Sequence, residues 1–423
     1  MGTFFAKLKL IITDRMLLLR IGFVVAALIV FRLLATIPVP GIDTTRLAEF
    51  FSNNQFLGLL NIFSGGGLSN LSIVMLGVGP YITASIIMQL LTIIFPKLKQ
   101  MYQEEGDMGR KKFSQYARLI SVPLAFIQGY AFLFLLQSQG IVPHLTLVQS
   151  LVNILAIAAG SVLLMWIGEL MTEFGVGNGV SLIIFAGIVA RLPQAVSQLS
   201  FTFDVSQIPV YIGFAFAALA TIYAVVVMTE AERPVPVTYA KRVRGNKLYG
   251  GVSTYLPLRL NQAGVIPIIF ALSILLFPQL LLNFAAKSSV TWLATSATAL
   301  LSWSGGAIIY GLSYFLLVFV FTYFYTAVTF DPNTLATNLQ KNGAFVPGVR
   351  PGNQTSEYLA RVITRITMVG ALFLGVIAVL PLIMQAATGV KTLAIGGTAL
   401  LIVVSVLLDL IRKVDAQVSL REY

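Results

Sequence analysis

"NIFSGGGLSNLSI", residues 61–73, interrupts a chain that is otherwise almost continuously apolar. The run before it, "FLGLLNIF" at 56–63, is a helix former of about eight residues, far short of the roughly 20 that cross a bilayer. Each glycine costs a helix about 1 kcal/mol, so three in succession end it. Backbone of this kind survives at membrane depth only where it is buried in protein or lines a cavity. The stretch therefore reads as a half-length helix, a break and a restart, inside a protein that supplies the rest of the membrane structure.

That setting follows from composition. Of 423 residues, 57% are hydrophobic and 10% charged, and mean hydropathy is +0.88. A water-soluble globular domain is excluded, and the alternating strands of a β-barrel are missing. The sequence predicts an all-α polytopic membrane protein. Ten apolar windows stand at about 21–38, 71–95, 119–137, 150–168, 180–190 with its neighbours, 210–228, 263–283, 307–329, 366–385 and 393–411, the fifth being the weakest. The basic "MGTFFAKLKLIITDRMLLLR" resembles a signal peptide, but the following run is of spanning length without a small-residue cleavage site, so it is expected to be retained.

Lys and Arg set the orientation. The two tails and the even-numbered loops hold 23 of them and the odd-numbered loops 4, with Arg32 inside the first window. Positive charge marks the cytoplasmic side, which places both termini and the loops 96–118, 229–262 and 330–365 there. The net charge of +12 is thus mainly a topology signal, although such a face also suits acidic or RNA-rich partners.

The chemistry the spans lack narrows the function. There is no cysteine, and the single histidine, His144, lies in a short loop, so no metal site and no cofactor are expected. Glu169, Glu173, Glu230, Glu232 and Asp409 fall near window ends, whereas ion-coupled carriers place carboxylates at the midplane. Arg32, about twelve residues into its window, stands apart as a packing or topology residue. No HExxH, GxSxG or GxxxxGK[ST] is present, so an enzyme is not expected. A passage or a scaffold remains.

Gly and Pro interrupt the second, fifth and seventh windows, in "MLGVGPYI", "GVGNGVS" and "AGVIPIIF". The second of the first five and the second of the last five correspond, the pattern of inverted-repeat transport proteins. The loop 229–262 has the Pro, paired Gly and alternating Val, Thr and Tyr of a projecting hairpin, with Lys241, Arg242, Arg244 and Lys247 near its tip. The loop 330–365 ends in a Pro/Gly-framed turn that presents Arg350.

"PVPGID", "NIFSGGGLSNLSI", "LGVGPYITASIIMQLL", "EEGDMGRKKFSQYAR", "GVGNGVSLIIFAGIVARLP", "RPVPVTYAKR", "STYLPLRLNQAGVIPIIFA" and "QKNGAFVPGVRPGNQT", in order along the chain, closely resemble the bacterial SecY family. The resemblance implies ten transmembrane helices in two inverted five-helix halves, 1–190 and 191–423, around a central pore in the bacterial inner membrane. It implies a passive channel for unfolded secretory polypeptides that also releases hydrophobic segments sideways into lipid. By resemblance, the pore ring is Val78, Ile82, Val180, Ile184, Ile269 and Ile402. A plug spans about 56–73, with Asn61, Ile62, Phe63, Ser64, Gly65, Gly66 and Gly67 at its centre and Asn178 as its polar partner. Thr83 and Phe277 would face each other across a lateral gate. Arg350 would meet the SecA motor ATPase, and Lys241, Arg242, Arg244 and Lys247 the motor or a ribosome with its nascent chain. Asn246 stands where relatives often have a second basic residue. SecE and SecG subunits are implied partners. An ion-coupled secondary transporter of small solutes is the alternative, and an insertion scaffold without a pore a third reading.

Overall fold

The computed structural model describes residues 14–40, 67–68, 70–103, 105–138, 142–143, 145–190, 193, 197, 208–239, 242–244, 247–249, 253–286, 290–304, 307–388 and 391–419. In chain order the helices are α1 (Arg15–Leu34), α2 (Gly79–Ile94), α3 (Pro96–Gln103), α4 (Gly106–Ser138), α5 (Leu147–Phe174), α6 (Gly179–Val189) and α7 (Ile208–Glu230). Then come α8 (Ile266–Ala285), α9 (Thr291–Ser304), α10 (Ala307–Thr329), α11 (Pro332–Lys341), α12 (Asn353–Thr388) and α13 (Lys391–Ser419). Every apolar window contains one of these helices. Among the described residues, six stretches, from Arg15–Leu34 to Asn353–Met384, are long and apolar enough to cross a membrane, or seven if the bent pair Gly79–Ile94 and Pro96–Gln103 counts as one. The fifth window yields only the 11 residues of α6, about 16 Å of helix against about 30 Å of hydrocarbon.

The second window is shorter than expected. Residues 71–78 are turns, and α2 begins at Gly79. The break lies at the helix start, and the seventh window repeats the arrangement. Gly77 (φ 57°) precedes Val78, Gly79 and Pro80, and Gly264 (φ 61°) precedes Val265, Ile266 and Pro267. Left-handed backbone favours glycine, and a proline in the first turn gives up an N–H that would have no helical partner. "GVGP" and "GVIP" are therefore two copies of one helix-starting device. Arg32 is likewise displaced from the expected interior: it stands in the last turn of α1, where a cation complements the helix dipole.

Contacts divide the helices into two groups. α1, α2, α4, α5 and α6 pack among themselves, as do α7, α8, α10, α12 and α13. Between the groups α8 meets α2 and α4 on one side, while α13 meets α6 on the other. One apolar cluster fills the centre and draws residues from both groups. Outward faces are also apolar: Ile212, Phe216, Leu219 and Tyr223 on α7, and Ile308, Leu312, Leu316 and Val320 on α10, are exposed at helical spacing. Water would not tolerate such stripes, and lipid does.

At one end, called the basic end below, Leu17, Val176 and Val418 pack together. The expected hairpin is here, β1 (Glu232–Tyr239) pairing antiparallel with β4 (Ser253–Arg259), and a two-stranded tip of β2 (Arg242–Arg244) and β3 (Lys247–Tyr249). A third strand, β5 (Ala344–Phe345) from the next loop, joins β1 through Thr238 and Tyr239. Pro234 and Pro236 lie where β1 has no such neighbour, so their missing N–H groups break no ladder.

Candidate functional site

The segment 70–78 is irregular backbone inside an apolar bundle, and several of its backbone groups find partners, while the buried Ser72 hydroxyl has none. The Val39 N–H donates to the Leu71 carbonyl (2.8 Å) and the Ile73 N–H to that of Ile37 (3.0 Å), which pins 71–73 to the chain leaving α1. These bonds hold Leu71 at φ 41°, a left-handed conformation costing a non-glycine residue about 1–2 kcal/mol. The Ser161 hydroxyl of α5 donates to the Gly77 carbonyl (2.9 Å), satisfying an acceptor just before the helix start. Gly160 beside it allows the approach: a Cβ there would stand 2.1 Å from the Ile73 carbonyl oxygen. Gly160→Ala is expected to destabilise the protein by about 1–3 kcal/mol. Gly129→Ala, whose Cβ would meet side chains no nearer than 3.6 Å, should be nearly neutral. Thermal unfolding of the two variants in detergent checks this, and equal midpoints would refute it.

The six ring candidates lie in or against one large central apolar cluster. Val78, Ile82, Ile184, Ile269 and Ile402 belong to the central cluster with exposures of 0, 7, 1, 7 and 1%, and Val180 packs against it partly buried. They come from the start of α2, from α6, α8 and α13, and so from both helix groups. Val78 and Ile82 are joined by the first α2 hydrogen bond, Ile82 N–H to Val78 carbonyl at 3.0 Å. Nothing in their side chains offers an ion or water a ligand.

α2 and α8 lie in contact, as a gate requires. Thr83, however, directs its hydroxyl to the Gly79 carbonyl of its own helix (3.0 Å) and accepts a long hydrogen bond from Gln128 of α4 (3.5 Å). Phe277 lies on α8, one residue before Pro278.

Asn178 caps a helix. Its Oδ1 accepts the Ser181 N–H (3.2 Å) as the N-cap of α6, beside Val176 at the basic end. Leu68 and Leu71, within the stretch expected to be the plug, pack with Phe132, Leu136, Val142 and Ile157. From Ile157 to the end of α5 at Phe174 is about 26 Å of helix, so capping accounts for Asn178 and the pairing with Asn61 gains no support. Asn61, Ile62, Phe63, Ser64, Gly65 and Gly66 lie outside the described residues, as does Lys241; Gly67 lies within a turn.

Arg350 is exposed on the turn between β5 and α12. Gly348 (φ 82°) and Gly352 (φ 98°) frame the turn, and the Thr355 hydroxyl donates to the Arg350 carbonyl (2.9 Å). Val346 and Val349 root the turn in a small core with Val235 and Leu258 of the hairpin and Leu359, Val362 and Ile363 of α12. The guanidinium thus projects from a fixed base. Arg242, Arg244 and Lys247 are carried by the β2–β3 tip. The sequence did not reveal that the two loops share one sheet and core, because β5 is two residues long and is defined by its partner.

The fold defines a polytopic helical membrane protein of two helix groups packed on one apolar core, with a sheet that carries basic residues at one end. The sequence profile of the SecY family matches residues 72–411, and the chain belongs to that family. It is 41% identical to the protein translocase subunit SecY of Thermotoga maritima over 415 residues, 96% of this chain and 93% of that one. It is 43% identical to the subunit of the same name from Pseudomonas aeruginosa over 409 residues, 96% and 91% of the two chains. Among solved structures, "The structure of a protein conducting channel" aligns with TM-score 0.65 at 20% identity over 94% of this chain and 92% of that one. Sec61 in the canine ribosome-channel complex from the endoplasmic reticulum aligns with TM-score 0.61 at 19% identity over the same shares.

Proposed function

We propose that this chain is the pore-forming, non-enzymatic subunit of a Sec-type translocon in the bacterial inner membrane, passing unfolded polypeptides through the constriction and hydrophobic segments sideways between α2 and α8. What supports this reading is that Val78, Ile82, Ile184, Ile269 and Ile402, from four places in both helix groups, are buried in one central apolar cluster with Val180 packed against it. Such a ring excludes ions by dewetting and yields to a polypeptide of any sequence. Its burial corresponds to the shut state. Residues 1–190 and 191–423 act as the two halves, hinged where α6 meets α13. The basic end faces the cytoplasm with both termini, and SecA or a translating ribosome docks there on Arg350 and on Lys241, Arg242, Arg244 and Lys247. SecE and SecG complete the complex. A small-solute carrier is disfavoured because, among the described residues, the central cluster is wholly apolar and Glu169 pairs with Arg118 near the end of α5.

Photocrosslinkers at Ile82 and Ile269 test the reading. With an arrested secretory chain engaged on membranes holding the complex, both sites should crosslink to its mature region. Crosslinks at neither would overturn the channel assignment.

A further inference from the structure

α2 does not end where it leaves the bundle. Phe95 is extended, Pro96 opens α3, and α3 turns by 113° away from α2. The residue before a proline is biased out of the helical region, so the bend is written into "FPK". α3 lies along α4, with the Tyr102 ring tilted against Phe113 (centroids 4.8 Å apart). Its last residue then reaches the other helix group. The Gln103 side-chain amide donates to the Val328 carbonyl in the last turn of α10, at 3.0 Å and partly buried.

That carbonyl is an orphan by sequence. Four residues on, where a continuing helix would supply an N–H, stands Pro332, which has none. α10 is in turn joined to α8: Phe270, next to ring candidate Ile269, packs edge-on against Phe321 (6.0 Å) and Tyr325 (6.2 Å). One hydrogen bond therefore links the extension of one gate helix to the neighbour of the other, across the basic end of the contact between them.

We propose that Gln103 is a positioning residue that latches the basic end of the gate, holding α2 to α8 through the exposed end of α10 until a docked partner displaces it. This rests on the channel reading. A neutral hydrogen bond of this kind, once lost, shifts a two-state equilibrium by about fivefold. Gln103→Leu keeps the bulk and removes the donor. Gln103→Lys keeps a donor that suits a helix C-terminus.

The complex reconstituted in vesicles with its partner subunits gives the readouts: resting ion conductance, and export of a precursor whose signal sequence has been weakened. Gln103→Leu should raise both by about fivefold, and Gln103→Lys should stay near wild type. The chain's lack of cysteine permits a second arm, Gln103→Cys with Val328→Cys, joined by a short bis-thiol reagent. The joined pair should block export and a cleavable reagent should restore it. If wild type exports the normal precursor while Gln103→Leu matches it in both readouts, or while the joined pair exports freely, the latch is wrong. If wild type exports nothing, the channel reading fails first and the latch with it.

Discussion

Arg350→Glu is expected to insert and fold normally and to lose motor-driven secretion by roughly an order of magnitude or more. Folding should survive because the turn uses the Arg350 carbonyl, held by Thr355, and leaves the guanidinium exposed. Secretion should not survive, because reversing a charge at a docking contact places like charges together at a cost of several kcal/mol, and about 1.4 kcal/mol is already tenfold. The rigid root of the turn removes the escape of a loop that could swing the new carboxylate aside. Arg350→Lys should retain partial activity, since an ammonium keeps the charge and loses the planar fork. The check is in vitro translocation of a precursor by SecA and ATP, with membrane insertion measured in parallel. Secretion unchanged at normal insertion would remove Arg350 from the coupling step.

Ile184→Asn and Ile402→Asn are each expected to make the shut channel leak ions. Both side chains are 1% exposed in the central cluster. An amide with no partner in such surroundings costs about 1–3 kcal/mol, and water entering the constriction relieves that cost. The wet state should therefore gain about 10- to 100-fold over the dry one. Ile157→Asn is the control. Ile157 is equally buried but belongs to a separate apolar cluster with Phe132 and Leu136. It should lower stability without raising conductance. Conductance across reconstituted vesicles without motor or substrate separates the cases, and three variants with equal leak would remove the ring.

Much of this was legible in the sequence because membrane helices declare themselves locally. Ten apolar windows became ten helices, and the Pro/Gly-rich loop became the β1–β4 hairpin. The glycines and prolines of the second and seventh windows were visible, but their meaning as helix starts needed the backbone, since a break inside a span and a late start read alike. Long-range features left no local trace. β5 has two residues and no pattern, and the Gln103–Val328 bond joins positions 225 apart. Asn178 shows why the sequence is ambiguous at such places, because a polar residue before an apolar run fits an N-cap as well as a polar partner. Arg32 looked central because the first window was drawn too far toward the C-terminus.

The shared sheet has a mechanical consequence. Hairpin and Arg350 turn are knitted together by the β1–β5 pairing and bolted to the first turns of α12. α12 has 36 residues, and its 28 before Pro381 make about 42 Å of helix. At the hairpin's foot, Arg412 of α13 holds the Thr229 carbonyl at the end of α7 (2.8 Å), ten residues along α13 from Ile402. A machine pushing on either loop therefore cannot deflect it alone. The load spreads at once into α7, α12 and α13, and the basic end works as a handle for half of the bundle.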